Sequence, residues 1–330
     1  MDKQEVVVIT GASAGVGRAT AREFARRGVC VGLLARGLDG LEGARQEIER
    51  AGGRALALSV DVARQGEVDA AAREVERAFG PIDIWVNNAM TSVFSPVWEM
   101  TADEYRRVTE VTYLGVVHGT LAALRSMRAR DQGTIVQVSS ALAYRSIPLQ
   151  SAYCAAKHAI LGFTYSLRTE LMHERSRVHL AVVHLPAMNT PQFEWVKSRM
   201  PNKAQPVPPI FQPEVAARAI HFAAHNRRRQ VSVGWPTVEA IWGNKLAATV
   251  LDRVLGRTGF AAQQTDEPRD PEQGDNLWAP LPGDRGAHGT FDARARGWSL
   301  QSWLNMRRAW LGLAAAAGIS AVLASRRLHR

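Results

Sequence analysis

Three residues near the middle of the chain could together move a proton. Tyr153 and Lys157 are four positions apart, so their side chains share one face if this segment is a helix. Ser140 lies upstream, where a strand could end close to the start of that helix. A phenol beside an ammonium group can donate a proton near neutral pH, because the positive charge lowers a phenol pKa that is normally about 10. Tyrosine and lysine at this spacing also occur on ordinary amphipathic helices, so the rest of the chain must decide between the two interpretations.

The composition is that of a globular protein with a basic surface. The 330 residues suit one large domain with appendages or two small domains, and 46% of them are apolar and 22% charged. A net charge of +10 is also typical of proteins that bind nucleic acid or an anionic membrane. The chain shows no zinc-type spacing of Cys and His and no basic stripe interleaved with aromatic residues. We therefore expect neither a nucleic-acid partner nor a metal site.

The cysteines and the N-terminus indicate the compartment. Cys30 and Cys154 cannot form a disulfide framework, which fits a reducing environment with free thiols. The first ten residues, MDKQEVVVIT, enter a strand at once and contain no apolar signal core. These features predict a cytoplasmic protein.

A glycine-rich segment follows the first predicted strand. Val6 to Ile9 form a β-branched run that suits a buried parallel strand, and the helix predicted after the glycines ends near Gly28. Glycines between a strand and a helix let the backbone approach a pyrophosphate, and the helix N-terminus supplies free N–H groups. This order predicts a dinucleotide site that includes Gly11, Ser13, Gly15, Val16 and Gly17.

The next two predicted strands end in residues that could select the cofactor. The strand from Val29 to Ala35 is followed by Arg36, and an arginine at this place accommodates a 2′-phosphate, which favours NADP(H) over NAD. The strand from Ala55 to Val60 is followed by Asp61 and Val62. We expect Asp61 to lie near the adenine end of the cofactor, and the same residue could also be a helix N-cap.

The remaining strands complete an alternating pattern of strands and helices. Ile82 to Val86 lead into Asn88 and Ala89, Thr134 to Val138 deliver Ser140, and Val178 to Leu185 form the sixth strand. A capping box at Thr101 to Glu104 opens a helix that runs to about Arg130, a second long helix runs from Tyr153 to about Glu174, and the last strand is Val231 to Trp235. Such alternation predicts an α/β fold with a doubly wound parallel sheet, Rossmann-like, followed by a C-terminal helical extension.

These motifs together resemble those of the short-chain dehydrogenases/reductases over roughly residues 4 to 237. The matching features are T-G-x-x-x-G-x-G from Thr10 to Gly17, Asp61-Val62, N-N-A from Asn87 to Ala89, and Ser140 with Tyr153-x-x-x-Lys157. The resemblance implies a Rossmann-like fold and hydride transfer between a nicotinamide and a carbonyl or secondary alcohol.

The resemblance also implies a role for each site residue. Tyr153 would be the general acid/base, Ser140 would hold the substrate oxygen, with Ser139 as the alternative, and Lys157 would bind the nicotinamide ribose while lowering the Tyr153 pKa. Both Tyr153 and Lys157 would therefore contact the cofactor. The other cofactor contacts that the resemblance implies beyond the glycine-rich segment are Arg36, Asp61, Val62, Asn88, Ala89, Pro186 and Thr190.

Three positions depart from the family pattern. Thr112 stands where the family has an asparagine that is thought to kink the long helix and hold a water of the proton path. Thr112 can also bond back to a helix carbonyl and so maintain this path, and we count it among the catalytic residues. Met90 follows the N-N-A motif in place of a glycine and could narrow the pocket. The segment from Pro186 to Thr190 is one residue shorter than usual.

The region after the sixth strand suggests the type of substrate. From Met188 to Phe211 the chain is apolar with few charges, which predicts a lipophilic carbonyl or alcohol; the alternative is that these side chains only pack the loop down. Its large apolar residues are Phe193, Trp195, Met200 and Ile210. A helix from Val238 to Leu255 carries an apolar stripe that could be core or an oligomer contact, formed by Ile241, Trp242, Leu246, Val250 and Val254.

The domain prediction has three parts. Residues 1–258 form the dinucleotide-binding and catalytic domain, and 259–297, rich in Pro, Gly and charge, form a flexible linker or an arm laid over it. Residues 298–330 form a helical tail whose uncharged run, Ala309 to Ser325, is flanked by arginines and preceded by tryptophans. We expect the tail to lie on a membrane or to anchor there, and the alternative is a helix docked on the protein or on its dimer partner.

Two functions follow. The first is an NADP-dependent oxidoreductase, a homo-oligomer that acts on a lipophilic carbonyl or secondary alcohol and is peripheral to, or tail-anchored at, a membrane. The second is a non-catalytic, membrane-associated scaffold of the same fold that binds the nucleotide. Intact Ser140, Tyr153 and Lys157 favour the enzyme, whereas Thr112 and Met90 keep the scaffold open.

Overall fold

The computed structural model describes residues 4–308, and its centre is a seven-stranded parallel sheet. The strands are β1 (Val6–Thr10), β2 (Cys30–Ala35), β3 (Arg54–Ser59), β4 (Ile84–Asn87), β5 (Val93–Phe94), β6 (Thr134–Ser140), β7 (His179–Leu185), β8 (Lys197–Ser198), β9 (Asn202–Ala204), β10 (Gln230–Ser232) and β11 (Gln264–Pro268). The order in the large sheet is β10-β7-β6-β4-β1-β2-β3. Between β1 and β4 the direction of winding reverses, and open α/β sheets bind ligands at the carboxyl ends of the strands next to this point.

Helices cover both faces of the sheet. They are α1 (Gly15–Ala25), α2 (Leu38–Arg50), α3 (Gln65–Phe79), α4 (Ala102–Thr109), α5 (Gly115–Arg130), α6 (Ser151–His173), α7 (Gln192–Trp195), α8 (Pro213–His225) and α9 (Trp235–Thr258). One apolar layer joins the sheet to α1, α2 and α8, and the other joins it to α3, α5 and α6. Within β1, Val7 and Ile9 enter the first layer, while Val6 and Val8 enter the second. The predicted doubly wound α/β fold is therefore confirmed.

The predicted long helix is interrupted in its middle. The capping box predicted at Thr101 is present, since its hydroxyl accepts from the Glu104 N–H and the Glu104 carboxylate accepts from the Thr101 N–H. After α4 the backbone forms a π-helical turn over Glu110–Leu114 and then continues as α5. A π turn inserts one residue into the helix and bends it, and such turns are frequent at functional sites.

The end of the sheet and α9 differ from the sequence prediction. The predicted strand to Trp235 ends at Ser232, because Gly234 adopts φ +74° and α9 begins at Trp235 with a proline in its first turn. The apolar stripe of α9 lies in solvent, with Trp242 56% and Leu246 81% exposed. The core interpretation of the stripe is therefore wrong, and its role as an oligomer contact stays a prediction.

The segment 259–297, which we call the C-terminal arm, packs along the domain. Strand β11 pairs antiparallel with β9, and further along the Arg296 N–H donates to the Ile210 carbonyl at 2.9 Å. A short helix follows the arm and is described from 300 to 308. None of the helices within residues 4–308 combines the length and the apolar character needed to span a bilayer. The uncharged run predicted from Ala309 to Ser325 lies outside the described residues.

Candidate active site

The glycine-rich loop lies at the carboxyl end of β1 and packs against the segment after β4. The Asn88 side chain donates to the carbonyls of Thr10 (3.0 Å) and Gly11 (3.3 Å), and the Asn88 N–H donates to the Thr10 hydroxyl at 2.9 Å. Gly11 has φ +68°, and a Cβ built there would lie 2.9 Å from the Ala89 Cα. Only glycine fits this conformation and this contact without strain. The loop and residues 88–89 thus form one fixed wall.

The first turn of α1 continues this wall. Gly11, Ser13, Gly15 and Val16 line a cavity, whereas Gly17 lies behind it, where a Cβ would sit 2.1 Å from the Gly11 carbonyl oxygen. Among residues 4–308 the Val16 N–H has no hydrogen-bond partner, and the Gly15 N–H donates to the Gly286 carbonyl at 3.1 Å. A helix N-terminus with a free N–H attracts an anion. Within the described residues, the Val16 N–H is therefore free to bind a phosphate. The Gly15 N–H, a second expected phosphate donor, is already paired with the C-terminal arm.

The serine, the tyrosine and the lysine meet at the opposite end of the same cavity. Ser140 ends β6, and its hydroxyl forms a hydrogen bond with the Tyr153 phenol on α6. Lys157, one turn further along α6, has its Nζ 5.5 Å from the centroid of the Tyr153 ring and donates to the Val138 carbonyl at 2.8 Å. The hydroxyl of the alternative serine, Ser139, is buried without a hydrogen-bond partner among the described residues. Ser140 is therefore the serine that contacts Tyr153.

Burial dominates the electrostatics of this trio. It raises the pKa of the Tyr153 phenol well above 10, and the hydrogen bond with Ser140 lowers that pKa by a smaller amount. Burial also lowers the pKa of Lys157 from 10.5 to about 7, because its ammonium group is removed from water. The expectation of a lowered tyrosine pKa is thus wrong for the protein's own groups: the phenol keeps its proton at neutral pH, whereas the lysine titrates there.

Thr112 lies in the π-helical turn and does not line the cavity. Its hydroxyl donates to the Thr91 carbonyl at 2.9 Å and accepts from the Thr91 N–H at 3.0 Å. The helix-carbonyl bond expected from the sequence is therefore wrong, since the partner is the loop after β4. Thr112 ties the distorted helix to that loop.

Arg36 lies in the cavity at the carboxyl end of β2, as do Asp61 and Val62 beyond β3. Its guanidinium donates to the carbonyls of Leu277 (3.3 Å) and Trp278 (3.1 Å) in the C-terminal arm, and also to the Asn276 carbonyl. Burial lowers the Arg36 pKa. The residue expected to meet a 2′-phosphate is thus held in place by main-chain oxygens of the arm.

Asp61 lines the cavity and has partners within the protein, while its contact with the adenine end of the cofactor stays a prediction. Its carboxylate accepts from Arg107 at 2.7 Å and from the Ala63 N–H at 3.1 Å. Burial alone would raise the Asp61 pKa, yet these hydrogen bonds lower it overall. The N-cap of α3 is Arg64, without a side-chain cap, so the N-cap interpretation of Asp61 is wrong.

The cavity joins both ends of the site in one volume of about 510 Å³. Asn88, Ala89, Pro186 and Thr190 line its middle. Its substrate end is largely apolar, since it is lined by Met90, Phe94, Leu142, Ile147, Phe193, Trp195, Val207 and Leu255. Met200 and Ile210, which were expected to lie with Phe193 and Trp195, are buried but do not line the cavity, so they pack the loop down.

One wall of the cavity comes from the C-terminal arm, for which a linker and an arm laid over the domain were both open from the sequence. Eight arm residues line the cavity, namely Gly259, Ala262, Gln263, Asn276, Pro280, Leu281, Gly283 and Arg285. In sequence they belong to a segment of Pro, Gly and charge without periodicity, which is typical of linkers. The one available signal was the density of possible turns, since turn-rich segments also form fixed surface loops.

A family model described as short chain dehydrogenase matches residues 5–200. The chain belongs to this family. This short-chain dehydrogenase is 31% identical over 278 residues to an uncharacterized oxidoreductase, YxnA, of Bacillus subtilis strain 168, covering 84% of this chain and 78% of that one. It is also 30% identical over 222 residues to the 3-dehydrosphinganine reductase of Danio rerio, covering 65% of this chain and 66% of the relative.

A solved structure gives the same fold. This short-chain dehydrogenase superposes with a TM-score of 0.58 and 27% identity on a metagenomic short-chain oxidoreductase in complex with NADP, covering 69% of this chain and 96% of that one. The seven-stranded sheet is thus that of a short-chain dehydrogenase, and the chain is an oxidoreductase of this family. The part of the chain beyond the family model, after residue 200, includes the whole arm.

Proposed function

We propose that this chain transfers a hydride between NADP(H) and a lipophilic carbonyl or secondary alcohol, with Tyr153 as general acid/base. The observation that carries the proposal is the single cavity, which has the glycine-rich loop at one end and Ser140, Tyr153 and Lys157 at the other. The cradle fits a dinucleotide, because Val16 offers a free N–H and Gly11 lets the loop lie flat on residues 88–89.

In the reducing direction the protein's part is to hold the substrate oxygen and to protonate it. The Tyr153 phenol, neutral at physiological pH, gives its proton to the oxygen of the carbonyl as the bond order falls, while Ser140 donates a hydrogen bond to the same oxygen. When bound, the nicotinamide supplies the hydride to the carbonyl carbon, or accepts it in the oxidising direction. Lys157, with a pKa of about 7 and its Nζ 5.5 Å from the centroid of the Tyr153 ring, is the group that we propose returns a proton to the phenolate.

NADP(H) is the proposed cofactor because Arg36 follows β2 in place of an acidic residue. The metagenomic relative of similar fold was solved with NADP, which supports the same choice here. The lipophilic substrate is proposed from the apolar end of the cavity, where Phe94, Phe193 and Trp195 lie with few charges around them. The reductase of Danio rerio, named for 3-dehydrosphinganine, supports a carbonyl of this kind.

The test is NADPH oxidation with aldehydes and ketones of increasing chain length, in the wild type and in Tyr153→Phe. We expect turnover that rises with chain length, and a loss of about 100- to 10,000-fold in Tyr153→Phe, the size of a general acid/base contribution. Tyr113→Phe is the matched control, because Tyr113 does not line the cavity and its rate should not change. A wild type that binds NADPH but turns over none of these carbonyls would favour the non-catalytic scaffold.

A further inference from the structure

The C-terminal arm crosses the cofactor end of the cavity and is fixed there at two points. At the first, the Arg36 guanidinium donates to the main-chain carbonyls of residues 276–278. At the second, the Gly15 N–H in the first turn of α1 donates to the Gly286 carbonyl at 3.1 Å. The arm therefore occupies, with a neutral oxygen, one of the positions from which a helix N-terminus would hold a phosphate.

Asp284 anchors the arm between these two points. Its carboxylate accepts hydrogen bonds from both terminal nitrogens of Arg18, with Nη2 at 2.9 Å, and Arg18 is only 2% exposed. Glu47 accepts from the same guanidinium at 2.8 Å, so Arg18 is held from two sides. The Asp284 carboxylate also accepts from the Gly286 N–H at 3.1 Å. These bonds fix the backbone on both sides of residue 285.

Arg285 lies on this fixed backbone and lines the cavity. Within the described chain it forms no hydrogen bond or ion pair. Its electrostatic neighbour is Glu194, whose pKa is raised by burial and lowered by a smaller amount by Arg285. Other arginines of the arm are engaged: Arg294 donates to the Gln205 side chain at 2.9 Å, and Arg269 donates to the Met200 carbonyl at 3.3 Å. The backbone of the next residue, Gly286, contacts the first turn of α1, and the exposed Arg285 side chain lines the same cavity. A guanidinium without a hydrogen-bonding partner at such a place suits an anionic ligand.

We propose that Arg285 binds the pyrophosphate of the dinucleotide, replacing the helix N–H that the Gly286 carbonyl occupies. The inference rests on the proposed function, since it assumes a dinucleotide in the cavity. The arm occupies the Gly15 N–H but supplies the Arg285 guanidinium, a charged donor that can bind two phosphate oxygens at once. The two arginines then bind different phosphates of the cofactor. Arg36 binds the 2′-phosphate, which only NADPH has, and Arg285 binds the pyrophosphate, which both NADPH and NADH have.

The experiment measures the dissociation constants of NADPH and NADH for the full chain by fluorescence titration. Arg285→Ala should weaken both dinucleotides by about 10- to 100-fold, the size of a lost charge-assisted contact. Arg36→Ala should weaken NADPH more than NADH, and it should also weaken NADH to a smaller extent, because Arg36 holds the arm that carries Arg285. Arg294→Ala is the matched control on the same arm and should leave both constants unchanged. Arg285→Lys should recover only part of the affinity, because lysine keeps the charge but cannot bind two phosphate oxygens in the same way.

The outcomes separate this inference from the proposed function. Wild-type protein that binds neither dinucleotide overturns the proposed function, and the inference with it. Wild-type binding that Arg285→Ala leaves unchanged overturns the inference alone. A loss confined to NADPH in Arg285→Ala also overturns it, because that pattern would assign Arg285 to the 2′-phosphate. An equal loss of affinity for both dinucleotides in Arg285→Ala, with no change in Arg294→Ala, would support the inference.

Discussion

Replacing Lys157 with methionine should make the protein more stable at neutral pH while removing a cation on which the proposed chemistry depends. Lys157 is 2% exposed, and burial lowers its pKa from 10.5 to about 7. Its ammonium group donates to the Val138 carbonyl at 2.8 Å. Methionine has a similar length and no charge, so it can occupy the same space without the desolvation penalty.

The size of the stability change expected in Lys157→Met follows from the pKa of Lys157. A fall from 10.5 to about 7 corresponds to about 5 kcal/mol that the native state loses by burying the charged lysine. The hydrogen bond to Val138 returns about 1.5 to 3 kcal/mol of this, because its donor is charged. We therefore expect Lys157→Met to raise the free energy of unfolding by about 2 to 3 kcal/mol at pH 7.

The lowered pKa of Lys157 also determines how the stability difference between the wild type and Lys157→Met changes with pH. Below pH 7 the lysine is protonated in both the native and the unfolded chain, so the native state bears the whole penalty. Between pH 7 and 10.5 only the unfolded chain holds the proton, so the wild type gains about 1.4 kcal/mol of stability per pH unit relative to the variant. The advantage of methionine must therefore shrink as the pH rises.

Urea denaturation of both proteins at pH 6, 7, 8 and 9 provides the assay. The difference between the two unfolding free energies should be constant from pH 6 to 7 and should fall by about 2 to 3 kcal/mol by pH 9. Lys203→Met is the control, since Lys203 pairs with Glu267 in solvent and has no such penalty. A wild type that is the more stable protein at pH 7, or a difference that does not change with pH, would refute the reasoning.

Three further predictions concern packing around the site and along α6. Thr112→Val should lower the free energy of unfolding by about 2 to 4 kcal/mol in urea denaturation, because it leaves the N–H and the carbonyl of Thr91 buried without their partner; a change below about 0.5 kcal/mol would contradict the assigned bonds. Gly17→Ala should lower the free energy of unfolding by about 3 kcal/mol or abolish dinucleotide binding, because the new Cβ at position 17 would lie 2.1 Å from the Gly11 carbonyl oxygen. Gly162→Ala, with open space around it, should instead stabilise α6 by about 0.5 to 1 kcal/mol.

What the sequence predicts well here depends on short-range patterns. The β-branched run before the glycines, the capping box at Thr101 and the alternation of strands and helices are local. Up to the sixth strand of the large sheet, the strands begin and end within one or two residues of their predicted places. The meeting of Ser140 with Tyr153 follows from the same patterns, because a parallel strand delivers its last residue to the edge where the next helix begins.

The rest depends on burial and on distant contacts. The Tyr153 pKa moves opposite to the prediction, since spacing shows that a lysine is near but not that both groups leave water. The stripe of α9 shows which side of the helix is apolar and nothing about what lies against it. Arg36 was correctly assigned to the strand end, yet its partners are about 240 residues away, a separation that no local pattern encodes.

The position of the arm in the chain also sets the order in which the protein can be built. Asp284 and Arg18 are 266 residues apart, and every strand of the large sheet lies between or before them. Contacts of such separation form only after the intervening chain has been made and collapsed. During synthesis the glycine-rich loop, Ser140, Tyr153 and Lys157 therefore leave the ribosome well before residues 276–286. The cavity acquires its last wall when the arm docks, so a nascent chain holds its catalytic groups before it holds a closed cofactor site.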